Sequence, residues 1–154
     1  MIRAWRIVKR RYLDQAFDGE GARIHGGRWN SPGQRAVYLS ESRALATLEV
    51  LVGLRSLVPL AHYALIGVRF DAALVTEIAS EDLPESWASS PPGPATQSLG
   101  DRWLSERRSV VLRVPSVVLP AEHNYVLNPL HADFQQVQVG EVEELRIDPR
   151  LVIE

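Results

Sequence analysis

The amino-acid sequence predicts an α+β fold in a single domain, and three observations support this prediction. The chain has 154 residues, of which 45% are hydrophobic, and this suits one compact core. Segments with the alternation of strands and segments with the spacing of helices both occur along it. The predicted helices interrupt the strands without a regular βαβ rhythm, which favours α+β over a doubly wound parallel sheet.

In the first half of the chain, strands are predicted from runs rich in apolar and β-branched residues. They cover residues 2–8, 35–40, 62–70 and 74–78. The last two are joined by a turn at Asp71, and we expect both in the core of the sheet. A glycine-rich loop with a short helical turn near Ala16 separates the first two strands and covers residues 14–30.

One apolar helix is predicted between the second and third strands. Ser40 or Ser42 can cap its N-terminus, because a serine hydroxyl can accept a hydrogen bond from a free backbone N–H of the first turn. The helix runs to about Leu54, and Gly53 and Pro59 mark its end.

The second half of the chain predicts a loop, a helix and two more strands. Residues 81–96 are rich in Ser and Pro, which predicts an exposed loop, and residues 95–108 predict a polar amphipathic helix. A strand at 110–119 is interrupted or bent at Pro115. A loop at 120–133 leads to a last strand at 134–139.

The composition argues against several classes of protein. The chain contains no cysteine, which excludes disulfides and thiolate metal sites. The N-terminus lacks the apolar run of a signal peptide, and no stretch approaches the apolar length of a membrane span. The formal charge of −2 gives no general attraction to nucleic acid. We therefore expect a cytoplasmic protein that binds neither membrane nor nucleic acid directly.

The strongest functional signal is a glycine-flanked arginine, Arg28, in the run Gly26-Gly27-Arg28-Trp29-Asn30-Ser31. Such an arginine can meet a phosphate together with backbone amides, because glycines let the main chain come close to a ligand. It can equally tie down its own loop by donating to backbone carbonyls. Tyr38, on the next strand, can offer a ring face to a ligand or serve ordinary cross-strand packing.

Glu49 is the second signal, because it is the only ionisable residue from Ala44 to Leu54. Leu45, Leu48 and Val52 lie at helical spacings from it, so the carboxylate shares a face with apolar residues. Burying a carboxylate without a partner costs several kcal/mol. The sequence therefore predicts either a functional carboxylate or a core glutamate neutralised by an arginine. Arg28, Tyr38 and Glu49 can surround one cleft.

Two histidines, His123 and His131, lie in a segment that also contains carboxylates. They are too far apart for one helical face, and Pro129 breaks any helix between them, so no metal site is predicted. Asn124 and Asn128 are expected to hold loop turns through side-chain hydrogen bonds.

The sequence also lacks the familiar catalytic loops. Ser116 stands in Val-Pro-Ser-Val-Val and not in Gly-x-Ser-x-Gly, which argues against a serine hydrolase. Neither a phosphate-binding loop with Lys-Ser/Thr nor Gly-x-Gly-x-x-Gly is present. This does not exclude nucleotide binding.

Motifs along nearly the whole chain resemble those of the RES domain family. They are Trp5-Arg6-Ile7, Gly19-Glu20-Gly21-Ala22-Arg23, Gly26-Gly27-Arg28-Trp29-Asn30-Ser31-Pro32-Gly33, Val37-Tyr38-Leu39-Ser40, Ala46-Thr47-Leu48-Glu49-Val50-Leu51, Val114-Pro115-Ser116 and Asn124-Tyr125-Val126-Leu127-Asn128-Pro129. The arginine, glutamate and serine that name the family fall on Arg28, Glu49 and Ser116. The family pattern often has His-Pro-Asp where this chain has His131-Ala132-Asp133.

The resemblance implies a bacterial toxin of a type II toxin–antitoxin pair. It implies one domain over residues 1–154, with a mixed, split β-sheet similar to the ADP-ribosyltransferase fold. The implied activity is cleavage of the nicotinamide–ribose bond of NAD, by hydrolysis or phosphorolysis. A protein ADP-ribosyltransferase toxin and a non-catalytic module of an antitoxin complex are the alternatives. The implied partner is a cognate Xre-type antitoxin, with which the chain forms a hetero-oligomer.

The resemblance also implies roles for individual residues, with NAD as substrate and no metal. Arg28 would hold the pyrophosphate, and Glu49 would stabilise positive charge on the ribose. Tyr38 would pack against nicotinamide or ribose, and Ser116 would orient the substrate or the glutamate. These four residues are the expected catalytic residues. The expected NAD contacts are Arg28, Tyr38, Trp29, Asn30 and Ser116.

Overall fold

Seven strands form one mixed sheet in the computed structural model, which describes residues 1–54 and 62–151. The strands are β1 (Ile2–Lys9), β2 (Val37–Ser40), β3 (Tyr63–Phe70), β4 (Val75–Glu77), β5 (Val111–Pro115), β6 (His123–Leu127) and β7 (Gln138–Glu144). Their order is β4-β5-β6-β2-β1-β3-β7. β4 and β5 run parallel, and the other neighbouring strands run antiparallel. The predicted α+β class with a mixed sheet is confirmed.

The sheet is split between β1 and β2. β1 pairs with β3 along its whole length, whereas β1 and β2 share one register pair, Trp5 with Ser40. Side chains of both halves meet in one hydrophobic core, where Phe70 of β3 packs edge-on against Tyr125 of β6. Packing therefore joins the two halves, and a cleft opens where the pairing between β1 and β2 stops.

Three α-helices accompany the sheet in the described part of the chain: α1 (Glu20–His25), α2 (Arg43–Gly53) and α3 (Pro94–Glu106). Ser42 caps α2, as predicted, by accepting a hydrogen bond from the Leu45 N–H at 3.0 Å. The predicted end at Gly53 is confirmed, and Pro59 lies outside the described residues. None of the helices that the structure describes is long and apolar enough to cross a membrane.

The prediction of a loop at residues 14–30 is wrong in one respect, because this segment contains α1. Two glycines, at 19 and 21, conceal this helix. Gly19 has a φ of 75°, a left-handed conformation that glycine adopts readily, and it precedes the first turn. The Asp18 carboxylate accepts the Glu20 N–H at 2.8 Å, so one free donor of the helix start is satisfied.

Four expectations about the strands are also wrong. Residues 116–119 form a turn and not a strand, because the Ser116 hydroxyl accepts the N–H groups of Val118 and Leu119. The loop predicted for 120–133 contains β6, an inner strand of the sheet, and the last strand begins at Gln138 and not at Phe134. The strand predicted at 74–78 is β4, which lies at the edge of the sheet and not in its core.

Candidate active site

The cleft at the split in the sheet has a volume of about 700 Å³. This is within the range of about 300–1,000 Å³ that small-molecule sites occupy. β1, β2, α1, α2 and the turn after β5 all contribute to its wall. Among the described residues, the charged side chains that line it are those of Arg6, Glu20, Arg28 and Glu49.

Glu49 is held in the cleft by two neutral side chains. Its Oε1 accepts hydrogen bonds from the Ser116 hydroxyl at 2.8 Å and from the Asn124 Nδ2 at 2.7 Å. The Ser40 hydroxyl donates to the Asn124 Oδ1 at 2.8 Å and so orients that amide. No ion pair to Glu49 occurs between residues that the structure describes. The alternative of a core glutamate neutralised by an arginine is therefore not what the described residues form.

The two donors to Glu49 come from neighbouring strands. Ser116 follows the last residue of β5, and Asn124 lies on β6, where it pairs with Val114, two residues before Ser116. Ser116 is 0% exposed, so its hydroxyl orients the glutamate and has no free surface for a ligand. Both bonds reach Oε1, and Oε2 accepts no hydrogen bond from the described part of the chain. The carboxylate therefore keeps one oxygen for a ligand.

Arg28 binds backbone carbonyls, but not those of its own loop. Its Nη1 donates to the carbonyls of Trp87 at 2.9 Å and Ser89 at 2.7 Å, in the loop that precedes α3. Burial lowers the pKa of Arg28, and the charge of Glu49 opposes this shift. Within the described residues, Nε and Nη2 have no acceptor, which leaves one edge of the guanidinium for a second, bidentate partner.

Tyr38 braces the Arg28 loop. Its hydroxyl donates to the Asn30 Oδ1 at 2.6 Å and accepts the Trp29 N–H at 3.0 Å, while its ring lines the cleft. Burial raises the pKa of Tyr38, so the phenol stays neutral. A Cβ atom at Gly27 would lie 2.6 Å from the Tyr38 hydroxyl, which explains the glycine at this position.

Trp29 and Asn30 fix the other side of the same loop. Trp29 is 2% exposed and packs with Trp103 of α3, and a Cβ atom at Gly100 would lie 1.6 Å from the Trp29 carbonyl oxygen. Asn30 is 0% exposed and donates to the carbonyls of Ala22, Ser31 and Gln34. Both side chains thus hold the loop in place, and their predicted contacts with NAD stay a prediction.

Two residues of the site escaped sequence reasoning, Arg6 and Asn124. Asn124 was expected to hold a loop turn, but it lies on β6 and binds Glu49. Arg6 donates to the carbonyls of Ala16 at 2.6 Å and Tyr38 at 3.0 Å, across the split. Burial lowers the pKa of Arg6 to about 10, against an opposing effect of Asp18. The sequence pattern that could have identified Arg6 is a charged residue on the inward face of an alternating strand.

The two histidines lie apart and on different elements. His123, on β6, has its Nδ1 3.1 Å from Nη2 of Arg113, and His131 caps a 3₁₀ turn by accepting the Asp133 N–H at 3.0 Å. Across residues 1–54 and 62–151, no three His, Cys, Asp or Glu side chains form a group that could hold a metal ion.

Comparison with known proteins gives concordant matches over nearly the whole chain. The family model described as the RES domain matches residues 3–148. A protein of Yersinia enterocolitica named Toxin Res is 38% identical over 149 residues, which cover 96% of this chain and 97% of the relative. A Sphingobium protein named Prs ADP-ribosylating toxin is 39% identical over 153 residues, covering 96% of this chain and 95% of the relative.

One solved structure has a similar fold. It is the crystal structure of the MbcT–MbcA toxin–antitoxin complex of M. tuberculosis, which matches with a TM-score of 0.76. The alignment covers 93% of this chain and 83% of that chain at 20% sequence identity. At this identity the likeness concerns the fold.

Proposed function

The chain belongs to the RES domain family, and from this membership we propose that it is a toxin that cleaves the nicotinamide–ribose bond of NAD. The observation that carries the proposal is the Glu49 carboxylate, which neutral donors hold by one oxygen in a cleft that also presents Arg28. A fixed negative charge and a guanidinium edge that no described residue occupies are the two groups that this substrate and this reaction need.

The proposed reaction breaks the bond between the ribose C1′ and the nicotinamide nitrogen, and nicotinamide leaves with the bonding electron pair. Positive charge grows on the ribose in the oxocarbenium-like transition state. A fixed carboxylate stabilises that state more than the ground state, which lowers the barrier. Attack by water, followed by loss of its proton, gives ADP-ribose. Attack by inorganic phosphate gives the 1-phosphate of ADP-ribose.

The remaining side chains of the cleft have supporting roles in this proposal. Arg28 binds the pyrophosphate through the Nε–Nη2 edge that no described residue occupies. The Tyr38 ring packs against the nicotinamide or its ribose, while its hydroxyl holds the loop. Ser116 and Asn124 are positioning residues, since they act through Glu49.

The products identify the reaction. Purified protein is incubated with NAD, with and without inorganic phosphate. The products are then separated and identified by mass spectrometry. Hydrolysis yields nicotinamide and ADP-ribose in both conditions, whereas phosphorolysis needs phosphate. Intact NAD after prolonged incubation with folded protein would contradict the proposal and leave protein ADP-ribosylation and a non-catalytic module as the remaining candidates.

Transfer of ADP-ribose to a protein is the second candidate activity, and a specific observation favours it. The Sphingobium relative, at 39% identity, carries the name of an ADP-ribosylating toxin. NAD labelled in its adenylate half separates the two activities, because only transfer fixes the label on protein. Label recovered only as free ADP-ribose, in the presence of bacterial extract, argues against this candidate.

We also propose that a cognate Xre-type antitoxin silences the enzyme by filling the cleft. A free NAD-degrading enzyme would starve its host, and the guanidinium groups of Arg6 and Arg28 can bind a carboxylate of the partner in place of phosphates. The similar fold from M. tuberculosis was itself solved as a toxin–antitoxin complex. The chain is co-purified with the product of the adjacent reading frame, and NAD is titrated into the complex. Equal NAD affinity of the complex and the free chain would exclude occlusion.

A further inference from the structure

Glu20 is a second carboxylate in the wall of the same cleft. It lies in the first turn of α1, and neighbouring cleft residues are Gln15, Gly19, Gly21 and Ala22. The elements that hold Glu49, namely α2 and the ends of β5 and β6, form another part of the wall. The cleft thus carries two carboxylates on separate elements.

Two arginines hold Glu20. Its Oε2 accepts from the Arg23 Nε at 2.7 Å and lies 3.0 Å from the Arg35 Nη2, and its Oε1 accepts from the Arg23 Nη2. The hydrogen bond from Arg23 lowers the pKa of Glu20, and desolvation opposes this shift. Arg35 is in turn fixed by a bond from its Nη1 to the Asp18 carbonyl at 2.9 Å. The carboxylate is therefore charged and fixed in place.

We expect Glu20 to lie beside the adenosine half of NAD, which does not react. This expectation rests on the proposed function. With the nicotinamide ribose at Glu49 and the pyrophosphate at Arg28, we assign the adenosine half to the part of the cleft that Gln15, Gly19 and Glu20 line. NAD and NADP differ there by one group, because NADP carries a phosphate on the 2′-hydroxyl of the adenosine ribose. A carboxylate accepts a hydrogen bond from that hydroxyl and repels that phosphate.

We propose that Glu20 is a specificity-determining residue that makes the cleft select NAD over NADP. The two arginines that bind Glu20 also contribute to this selection. As long as Glu20 is present, Arg23 and Arg35 are occupied by its carboxylate. Without it, the guanidinium groups of Arg23 and Arg35 lose the carboxylate that they share beside the cleft, and guanidinium is the group that accommodates a 2′-phosphate. Removing the charge of Glu20 should therefore have two effects. It should weaken the binding of NAD, and it should allow NADP to bind.

The first experiment measures kcat/KM for NAD and for NADP in the parent, Glu20→Gln and Glu20→Asp. Glu106→Gln is the matched control, because Glu106 is also paired with an arginine, Arg108, and lies outside the cleft. We expect Glu20→Gln to shift the ratio of the two constants toward NADP by about tenfold or more. Glu20→Asp and Glu106→Gln should keep the preference of the parent. A purely structural role of Glu20 would lower both constants together.

The second experiment does not need cleavage. Adenosine 5′-monophosphate and adenosine 2′,5′-bisphosphate differ only in the 2′-phosphate, and each is titrated calorimetrically into the parent and Glu20→Gln. We expect the parent to bind the monophosphate more tightly and the variant to reverse this order. A ratio that Glu20→Gln leaves unchanged, or a parent that binds both equally or neither, overturns the proposal. Selective binding by a chain that fails to cleave NAD would instead overturn the proposed function alone.

Discussion

The Glu49 and Glu20 regions of the cleft place the same side chain in two different surroundings. Glu49 accepts hydrogen bonds from a serine and an asparagine, which orient the carboxylate without neutralising it. Glu20 forms ion pairs with two arginines, which compensate its charge. An uncompensated carboxylate can stabilise a cation that appears during a reaction. A carboxylate paired with two arginines stabilises such a cation less, and in our proposal it keeps Arg23 and Arg35 from binding a phosphate of the ligand.

The largest effect is expected from Glu49→Gln. Both donors to Glu49 reach Oε1, and a glutamine carbonyl can accept the same two hydrogen bonds, so the fold should persist. The charge that stabilises the ribose cation is gone, and kcat for NAD cleavage should fall by about 10²–10³-fold or more. Circular dichroism checks that the fold persists, and nicotinamide release measures the loss of kcat. Turnover near the parental rate would leave Glu49 with a structural role.

Arg28→Lys should have the next largest effect, on binding more than on turnover. A lysine ammonium cannot both donate to the carbonyls of Trp87 and Ser89 and offer a planar edge to two phosphate oxygens. We expect the dissociation constant for NAD to rise by about 10-fold to 100-fold, since hydrogen bonds to charged groups contribute about 1.5–3 kcal/mol. Calorimetric titration measures it. Unchanged affinity would contradict the assignment of Arg28 to the phosphates.

Ser116→Ala should reduce kcat by about tenfold while leaving KM nearly unchanged, because Glu49 loses one of its two donors and is held less firmly. The serine is fully buried, so direct contact with the substrate is not expected to contribute. Steady-state kinetics separates the two constants. A rise in KM with an unchanged kcat would instead indicate that Ser116 binds the substrate.

Tyr38→Phe should act on stability. The change leaves the buried Asn30 Oδ1 and the Trp29 N–H without their partner, which costs about 1–3 kcal/mol. The apolar ring, which lines the cleft, is kept. Urea unfolding should show the loss, and NAD affinity should fall less than in Arg28→Lys. A variant as stable as the parent would contradict the bracing role of the hydroxyl.

The contrast between the two regions also shows what the sequence could predict. Glu49 was recognisable because a charge within an apolar helix is costly, and the cap at Ser42 and the end at Gly53 followed from the same helix. Arg28 was recognisable from its glycines. The α+β class and most strands followed from alternation and from the order of the elements.

The partners of these residues could not be predicted, because they are far away in the chain. Ser116 lies 67 residues from Glu49, and Asn124 lies 75 residues from it. The strand that carries Asn124 begins with two polar residues, so its pattern did not stand out from a loop. The helix that carries Glu20 was hidden by two glycines, and the pairing of Glu20 with Arg35 depends on the fold of the intervening loop.

The roles of the two carboxylates are separated by the initial rate of nicotinamide release at saturating NAD, measured for the parent, Glu49→Gln and Glu20→Gln. Both substitutions remove one negative charge from the same cleft and leave the side-chain shape nearly unchanged. We expect Glu49→Gln to lose nearly all turnover and Glu20→Gln to stay close to the parent. Equal losses in the two variants, or full activity in Glu49→Gln, would contradict this expectation.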